Sequence, residues 1–180
     1  MESSSFSTSV NAFFIREATK LYNDRDFDRL REIGLSPKTA KVIADLPIRI
    51  TERLACFRAA ACSLKVVSED HILMLIQHVQ HEDRRDILTD QLIQMNASQA
   101  MLADLLGMDA SDYRNRRRAL GLPKACAGRP TALTEEESVR THSAVQRHGD
   151  EKDILIKFYK VGMETGIPLA RIWQHMQTQN

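Results

Sequence analysis

The chain has 180 residues, of which 43% are apolar and 27% are charged, and its formal net charge is only +1. These values suit one ordinary domain or two small helical ones, and they exclude a disordered chain. No apolar run reaches the roughly 18 residues that span a bilayer, and residues 1–9 lack the features of a secretory signal. We therefore expect a cytoplasmic protein without a membrane partner.

The residue usage favours helices, because Ala, Leu, Arg, Glu, Asp and Gln dominate and no segment alternates as a strand does. We expect an all-α, multi-helix globular protein with a central helix-turn-helix and a C-terminal helical segment. The predicted organisation is a flexible tail over 1–8 and an N-terminal helical module over 9–66, which is a possible oligomer or partner interface. The helix-turn-helix region with its basic loop follows over 67–131, and the C-terminal segment covers 132–180.

Apolar residues recur at helical spacing in most of the chain. Ser36 and Pro37 are typical of an N-cap followed by proline at the first helical position. The charged tract His81–Arg85 is expected to interrupt a helix or to form a corner between two. Outside the central motif, helices are predicted over residues 9–23, 26–33, 37–46, 47–61, 68–79, 87–96, 132–149, 153–164 and 169–177.

The stretch SQAMLADLLGMDASDYRNRRRALGLP, which begins at Ser98, has the rhythm of a helix-turn-helix. Ala103 is small enough to let two helices approach, Gly107 provides the turn, and Tyr113 is a bulky residue that fills the gap. Asp109 or Ser111 can cap the second helix, which is predicted over about 110–120.

The outward positions of this second helix carry the residues expected to bind DNA. Arg114 can bind guanine and Asn115 can bind adenine, each through two hydrogen bonds, and Ser111 is a lesser base contact. The phosphate contacts are assigned to the remaining arginines of the run, which are Arg116, Arg117 and Arg118.

The loop behind this helix is also basic, with Lys124 and then Arg129 in a Gly-Arg-Pro sequence that can enter a minor groove. From Tyr113 to Leu133 the chain has six basic residues and no acidic one, so the remainder is net negative. This asymmetry is typical of a nucleic-acid surface, although a solvated basic face on a helical hairpin also produces it.

We identify no catalytic site, and we expect no cofactor, metal or small-molecule substrate. His71, His78 and Glu82 have a spacing that could suit a metal, but surface histidines explain it. Cys56 and Cys62 are interpreted as small core residues, and Trp173 as a core anchor of the last helix.

The segment NASQAMLADLLGMDASDYRNRRRALGLPKACAGRPTAL resembles the core of a family of bacterial proteins carried on integrative and conjugative elements and genomic islands. ETGIPLARIWQ also fits that family, and LREIGLS fits loosely. The resemblance covers about residues 25–176 and is strongest at 97–133. This family is in turn distantly similar to FlhC, a subunit of the flagellar master transcription activator.

The resemblance implies a transcription activator subunit that acts on the transfer genes of a mobile element with a partner encoded beside it. A departure is that FlhC has a C-terminal zinc site built from cysteines, whereas Cys126 is the single cysteine in the second half of this chain. We expect double-stranded DNA as a ligand and a homodimer or hetero-oligomer as the active form. The alternative is a helical adaptor of mobile-element replication or partition machinery, and a weaker one is an RNA-binding protein.

Overall fold

The computed structural model describes residues 2–56, 68–124, 128 and 130–179. Within these residues the chain is all-α, as predicted, and no strand is formed. None of the described helices combines the length and the apolar composition that a bilayer crossing requires. The helices are α1 (Glu2–Asn23), α2 (Phe27–Glu32), α3 (Pro37–Ala44), α4 (Ile48–Cys56), α5 (Glu69–Gln94), α6 (Gln99–Leu106), α7 (Ala110–Ala119), α8 (Glu135–Arg147), α9 (Ile154–Thr165) and α10 (Leu169–Gln179).

The chain divides into two compact units, Met1–Arg84 and Arg85–Asn180. This division falls inside α5, so it differs from the predicted boundaries after residues 66 and 131. The sequence boundaries followed changes in charge and capping, whereas the units follow the packing of apolar side chains.

In the first unit, α1 packs against α2, α3 and α4 around a core of aliphatic side chains. Most of the predicted flexible tail over 1–8 is helical, because α1 begins at Glu2, and its flexibility stays a prediction. Extending a helix that already exists adds one backbone hydrogen bond for each residue that is fixed, which makes such an extension inexpensive. The core residues are Ile15, Ala18, Leu21, Leu30, Leu35, Ala40, Ile43, Ile50, Leu54, Ala55, Ile72, Leu75, Ile76 and Val79.

The start of α3 is capped twice. Ser36 is its N-cap and Pro37 its first residue, as predicted. Glu69 of α5 also accepts hydrogen bonds from the hydroxyls of Ser36 and Thr39, both at 2.8 Å, and from the amide of Ser36. Partial burial raises the pKa of Glu69, but the hydrogen bonds from Thr39 and Ser36 outweigh it and bring that pKa below its ordinary value.

The predicted interruption at His81–Arg85 is wrong, because α5 is continuous from Glu69 to Gln94. In this tract Asp83 is buried, and the four residues around it are exposed. Asp83 accepts ion pairs from Arg49 at 2.6 Å and Arg53 at 2.9 Å. The charged run therefore continues the helix, with one acid turned to the core and paired there.

Cys56 is exposed, so its assignment to the core is wrong, and Cys62 lies outside the described residues. Cys56 is the last residue of α4, and it follows the buried residues Leu54 and Ala55. His71 and His78 are exposed on α5, as expected for surface histidines. Among the residues that the structure describes, no group of three His, Cys, Asp or Glu is placed to hold a metal ion.

In the second unit, the end of α5 and helices α6 to α10 surround a separate core. The chain leaves α5 through Asn96, which has a left-handed backbone with φ of 58°. The carbonyls of Met95 and Asn96 accept hydrogen bonds from the amides of Leu169 (3.0 Å) and Ala170 (3.1 Å) at the start of α10. The core residues are Leu92, Ile93, Ala97, Met101, Leu102, Tyr113, Ala144, Leu155, Phe158, Val161, Ile167, Leu169 and Ile172.

Candidate nucleic-acid interface

Helices α6 and α7 form the predicted helix-turn-helix. Ser98 caps α6, and its hydroxyl accepts a hydrogen bond from the amide of Met101 at 3.1 Å. Gly107 ends α6 in the left-handed region, with φ of 67°, a conformation that side-chain-bearing residues rarely adopt. Asp109 then caps α7 by accepting hydrogen bonds from the amides of Ser111 at 2.7 Å and Asp112 at 2.8 Å.

The cap of α7 belongs to the helix itself and is exposed to solvent. The amide of Asp112 and the hydroxyl and amide of Ser111 hold the pKa of Asp109 below its ordinary value. The carboxylate is therefore charged at neutral pH, where it complements the positive end of the helix dipole.

Tyr113 fixes the inward face of α7. Its side chain is buried, and its hydroxyl donates a hydrogen bond to the carbonyl of Ala97 at 2.8 Å. Leu120 and Leu122 pack partly against the same core, just beyond the end of the helix. These contacts confirm the inward positions that the sequence predicts, and they set the rotation of α7 about its axis.

The opposite face of α7 is exposed and polar. Ser111, Arg114, Asn115 and Arg118 are all exposed. At about 100° per residue, these four positions form one stripe along the helix. Their exposure agrees with the prediction, and their role in binding stays a prediction.

Arg116 does not lie on that stripe, and its contacts within the protein disfavour the predicted phosphate contact. Its guanidinium forms ion pairs with Asp86 at 2.6 Å and Asp90 at 2.9 Å, both on α5. Desolvation lowers the pKa of Arg116, but the hydrogen bonds to Asp86 and Asp90 outweigh it and raise that pKa above its ordinary value. The side chain therefore fastens α7 to α5.

The predicted phosphate contact of Arg117 is also disfavoured, because this residue is only 7% exposed. Its Nε and Nη2 atoms donate to the carbonyl of Pro123 at 3.1 and 2.8 Å. Its Nη1 atom lies 3.4 Å from the hydroxyl of Tyr113, and the guanidinium stands 5.7 Å from the centre of that ring. Arg117 therefore holds the chain that leaves α7.

The basic loop is held at its other end by Arg171 of α10. The guanidinium donates to the carbonyls of Thr131 at 3.0 Å and Ala132 at 2.9 Å. It also forms an ion pair at 2.6 Å with Glu137, which is half of the capping box that starts α8. Lys124, at the front of the loop, is exposed, whereas Arg129 lies outside the described residues.

Three participants were not predicted from the sequence: Asp86, Asp90 and Arg171. Asp86 and Asp90 are four residues apart, and on one continuous helix that spacing puts both carboxylates on the same face. The predicted break in α5 hid this signal. Arg171 carries no signal in the sequence, because two of its acceptors are backbone carbonyls. Trp173, by contrast, was anticipated as an anchor, and its ring meets that of Phe158 edge-on at 5.5 Å.

The chain matches a family model described as "Protein of unknown function (DUF2857)" over residues 11–180, and it therefore belongs to this family. The match begins within α1 and runs to the last residue, so it includes residues of both units. No curated protein and no solved structure matches the chain.

Proposed function

We propose that this member of the DUF2857 family binds double-stranded DNA through α7 and acts as a transcriptional regulator. The observation that carries the proposal is the exposed stripe of Ser111, Arg114, Asn115 and Arg118. The helix that bears it follows a tight turn, and Tyr113 fixes its opposite face. This is how a recognition helix presents side chains to a major groove.

Each residue of the stripe suits a particular contact. Arg114 presents a planar guanidinium that can donate two hydrogen bonds to guanine, and Asn115 can both donate to and accept from adenine. Ser111, in the first turn, is short enough for a single hydrogen bond. Arg118 and Lys124 are exposed cations farther along the chain, where contacts to the phosphate backbone set the register.

The contacts of Arg116 and Arg117 within the protein reduce the number of phosphate contacts that we expect. Arg116 is already neutralised by two carboxylates and Arg117 is buried, so neither adds to the phosphate contacts. The cations that remain to neutralise phosphates are Arg114, Arg118, Lys124 and Arg129, so we expect about three or four neutralised phosphates for each subunit. At about −0.9 for each phosphate, the slope of log K against log salt is then about −2.7 to −3.6 for a single subunit.

One helix-turn-helix reads only a few base pairs, so useful specificity requires a second half-site or a second subunit. We therefore propose a homodimer, or a complex with a regulator encoded beside it, that acts in the cytoplasm. The resemblance to mobile-element proteins and to FlhC supports activation of the transfer genes of such an element.

The test is a selection of bound duplexes from a random pool, followed by fluorescence-anisotropy titrations. The full chain is titrated with the selected duplex and with a scrambled duplex of equal composition, at two salt concentrations. We expect tighter binding to the selected duplex and the salt dependence given above. Equal affinity for both duplexes contradicts sequence-specific recognition.

The titration is repeated with the neighbouring gene product added, because a regulator subunit can require its partner. Sequence-specific binding that arises only in the mixture supports the hetero-oligomeric form. A stable protein complex that binds no duplex supports the adaptor function instead and overturns the proposal.

A further inference from the structure

Arg117 is a charged side chain that is buried within the second unit. Its side chain is 7% exposed, and its guanidinium donates only to a carbonyl and to the hydroxyl of Tyr113. Within the described part of the chain, no carboxylate lies at ion-pair distance from it. A buried charge without a counter-charge is costly, and such groups in proteins are ordinarily paired.

The adjacent chain cannot supply the missing negative charge. From Tyr113 to Leu133 the sequence contains no Asp or Glu. The nearest acid beyond it, Glu135, starts α8, and Glu137 is already paired with Arg171. This segment therefore supplies no counter-charge to Arg117.

Arg117 lies on the wall of an open cleft of about 910 Å³ in the second unit. The described lining residues include three cations, Arg117, Lys124 and Arg171, and no carboxylate. Most of the other lining is apolar or amide-bearing. It includes the ring of Trp173, the small side chains of Ala100 and Ala170, and three prolines. The volume lies within the range of small-molecule sites.

We propose that this cleft binds an organic anion with a flat apolar body. The acidic group of the ligand, a carboxylate, sulfonate or phosphate, supplies the counter-charge of Arg117 and is also attracted by Lys124. Its body lies against Trp173 and the small apolar residues of the wall. The inference goes beyond DNA binding and does not depend on it.

The chain offers a direct reporter for the test, because Trp173 is its single tryptophan and lines the cleft. The probe is 8-anilinonaphthalene-1-sulfonate, and its matched neutral analogue is N-phenyl-1-naphthylamine, which has the same body without the acid. Both are titrated into the full chain without DNA, and energy transfer from Trp173 is recorded. We expect the sulfonate to bind at least about tenfold more tightly than the neutral analogue.

Arg117→Met keeps an unbranched apolar stem but removes the charge, and we expect it to abolish the preference for the sulfonate. The matched control is Arg118→Met on the exposed face, which should keep the preference. Equal binding of the two probes to the unmodified protein overturns the proposal, as does an equal preference in the two variants. Circular dichroism is used to verify that both variants are folded.

If Arg117→Met does not fold, a second variant tests whether the cleft binds the sulfonate. Ala100→Phe places a ring at the cleft wall and leaves Arg117 intact, so we expect the transfer signal to fall at least about tenfold. Ala119→Phe, at an exposed position outside the cleft lining, is its control and should leave the signal unchanged. Unchanged sulfonate binding in Ala100→Phe overturns the proposal.

Discussion

Helices α3 and α7 begin in the same way and end up with different surroundings. Each follows a glycine in the left-handed region, Gly34 before α3 and Gly107 before α7, and each starts with a polar N-cap. At α3 the carboxylate of Glu69, from a helix far along the sequence, covers the first turn. At α7 the cap is the helix's own Asp109, and the first turn stays exposed.

The two helices also differ in the kind of polar side chain that they expose. The exposed cations of α3 are Lys38 and Lys41, whereas α7 exposes Arg114 and Arg118 with Asn115 between them. A turn and a cap thus define where a helix begins, and they do not make it a recognition helix. What matters is which side chains occupy the outward stripe and whether another part of the chain covers the first turn.

The largest expected effect concerns the residue that fixes α7. Tyr113→Ala removes a buried ring and should lower the free energy of unfolding by about 3–5 kcal/mol. Tyr113→Phe keeps the ring but loses the hydroxyl, with its hydrogen bond to Ala97 and the long one from Arg117, which should cost about 1 kcal/mol. Urea unfolding measures both. Equal small losses for the two variants would mean that the ring is exposed in solution and that α7 is rotated.

The second prediction tests the contrast between the two helices directly. Arg114→Ala and Asn115→Ala should each weaken binding to a selected duplex by about 1–3 kcal/mol and relax the base preference at one position. Lys38→Ala and Lys41→Ala of α3 are the controls and should leave the affinity unchanged. Anisotropy titrations give these affinities, and an equal loss in both pairs would remove the distinction between α3 and α7.

The third prediction separates an exposed arginine of α7 from a structural one. Arg118→Ala should reduce the magnitude of the salt slope of DNA binding by about 0.9. Arg116→Ala should leave that slope unchanged and lower the free energy of unfolding by about 1 kcal/mol, because its ion pairs with Asp86 and Asp90 are lost. Salt titrations and urea unfolding of both variants provide the comparison. The reverse pattern would return Arg116 to the phosphate contacts.

The smallest effect is expected at the covered start of α3. The pKa of Glu69 is lower in the folded protein, so its contribution to stability is present above the ordinary carboxyl pKa and is lost as the pH falls through the folded value. Glu69→Gln should cost about 1 kcal/mol or less near pH 7, and this difference should vanish once the pH falls below the folded pKa of Glu69. Thermal unfolding against pH measures it.

Asp70→Asn is the control for that measurement, since Asp70 is exposed in the same first turn of α5. It should lower the free energy of unfolding near pH 7 by less than Glu69→Gln does. If the two variants behave alike, the carboxylate of Glu69 acts only through the dipole of its own helix.

The helix-turn-helix could be predicted from sequence because its signals are local. Gly107, the cap at Asp109 and the spacing to Tyr113 each act within a few residues. The continuity of α5 was missed because a run of charges was interpreted as a break. Charged side chains are good helix formers, and the buried acid in that run, Asp83, is stabilised by Arg49 and Arg53 from another helix.

The exposure and the partners of each arginine of α7 could not be predicted, because they too depend on distant contacts. Arg116, Arg117 and Arg118 are consecutive and chemically identical, so the sequence gives no way to rank their exposure. Distant partners decide it: two carboxylates on α5 hold Arg116, and a backbone carbonyl beyond the helix holds Arg117. Only contacts that the folded chain creates distinguish the three.

The junction between the end of α5 and the start of α10 has a consequence for hydrogen exchange. The amides of Leu169 and Ala170 are bonded to carbonyls of Met95 and Asn96, and the side chain of Leu169 is fully buried. To exchange, these two protons must break bonds to the segment that follows α5, and fraying at Leu169 would also expose its buried side chain. Their exchange rates in deuterated water therefore report the cooperative opening of the second unit.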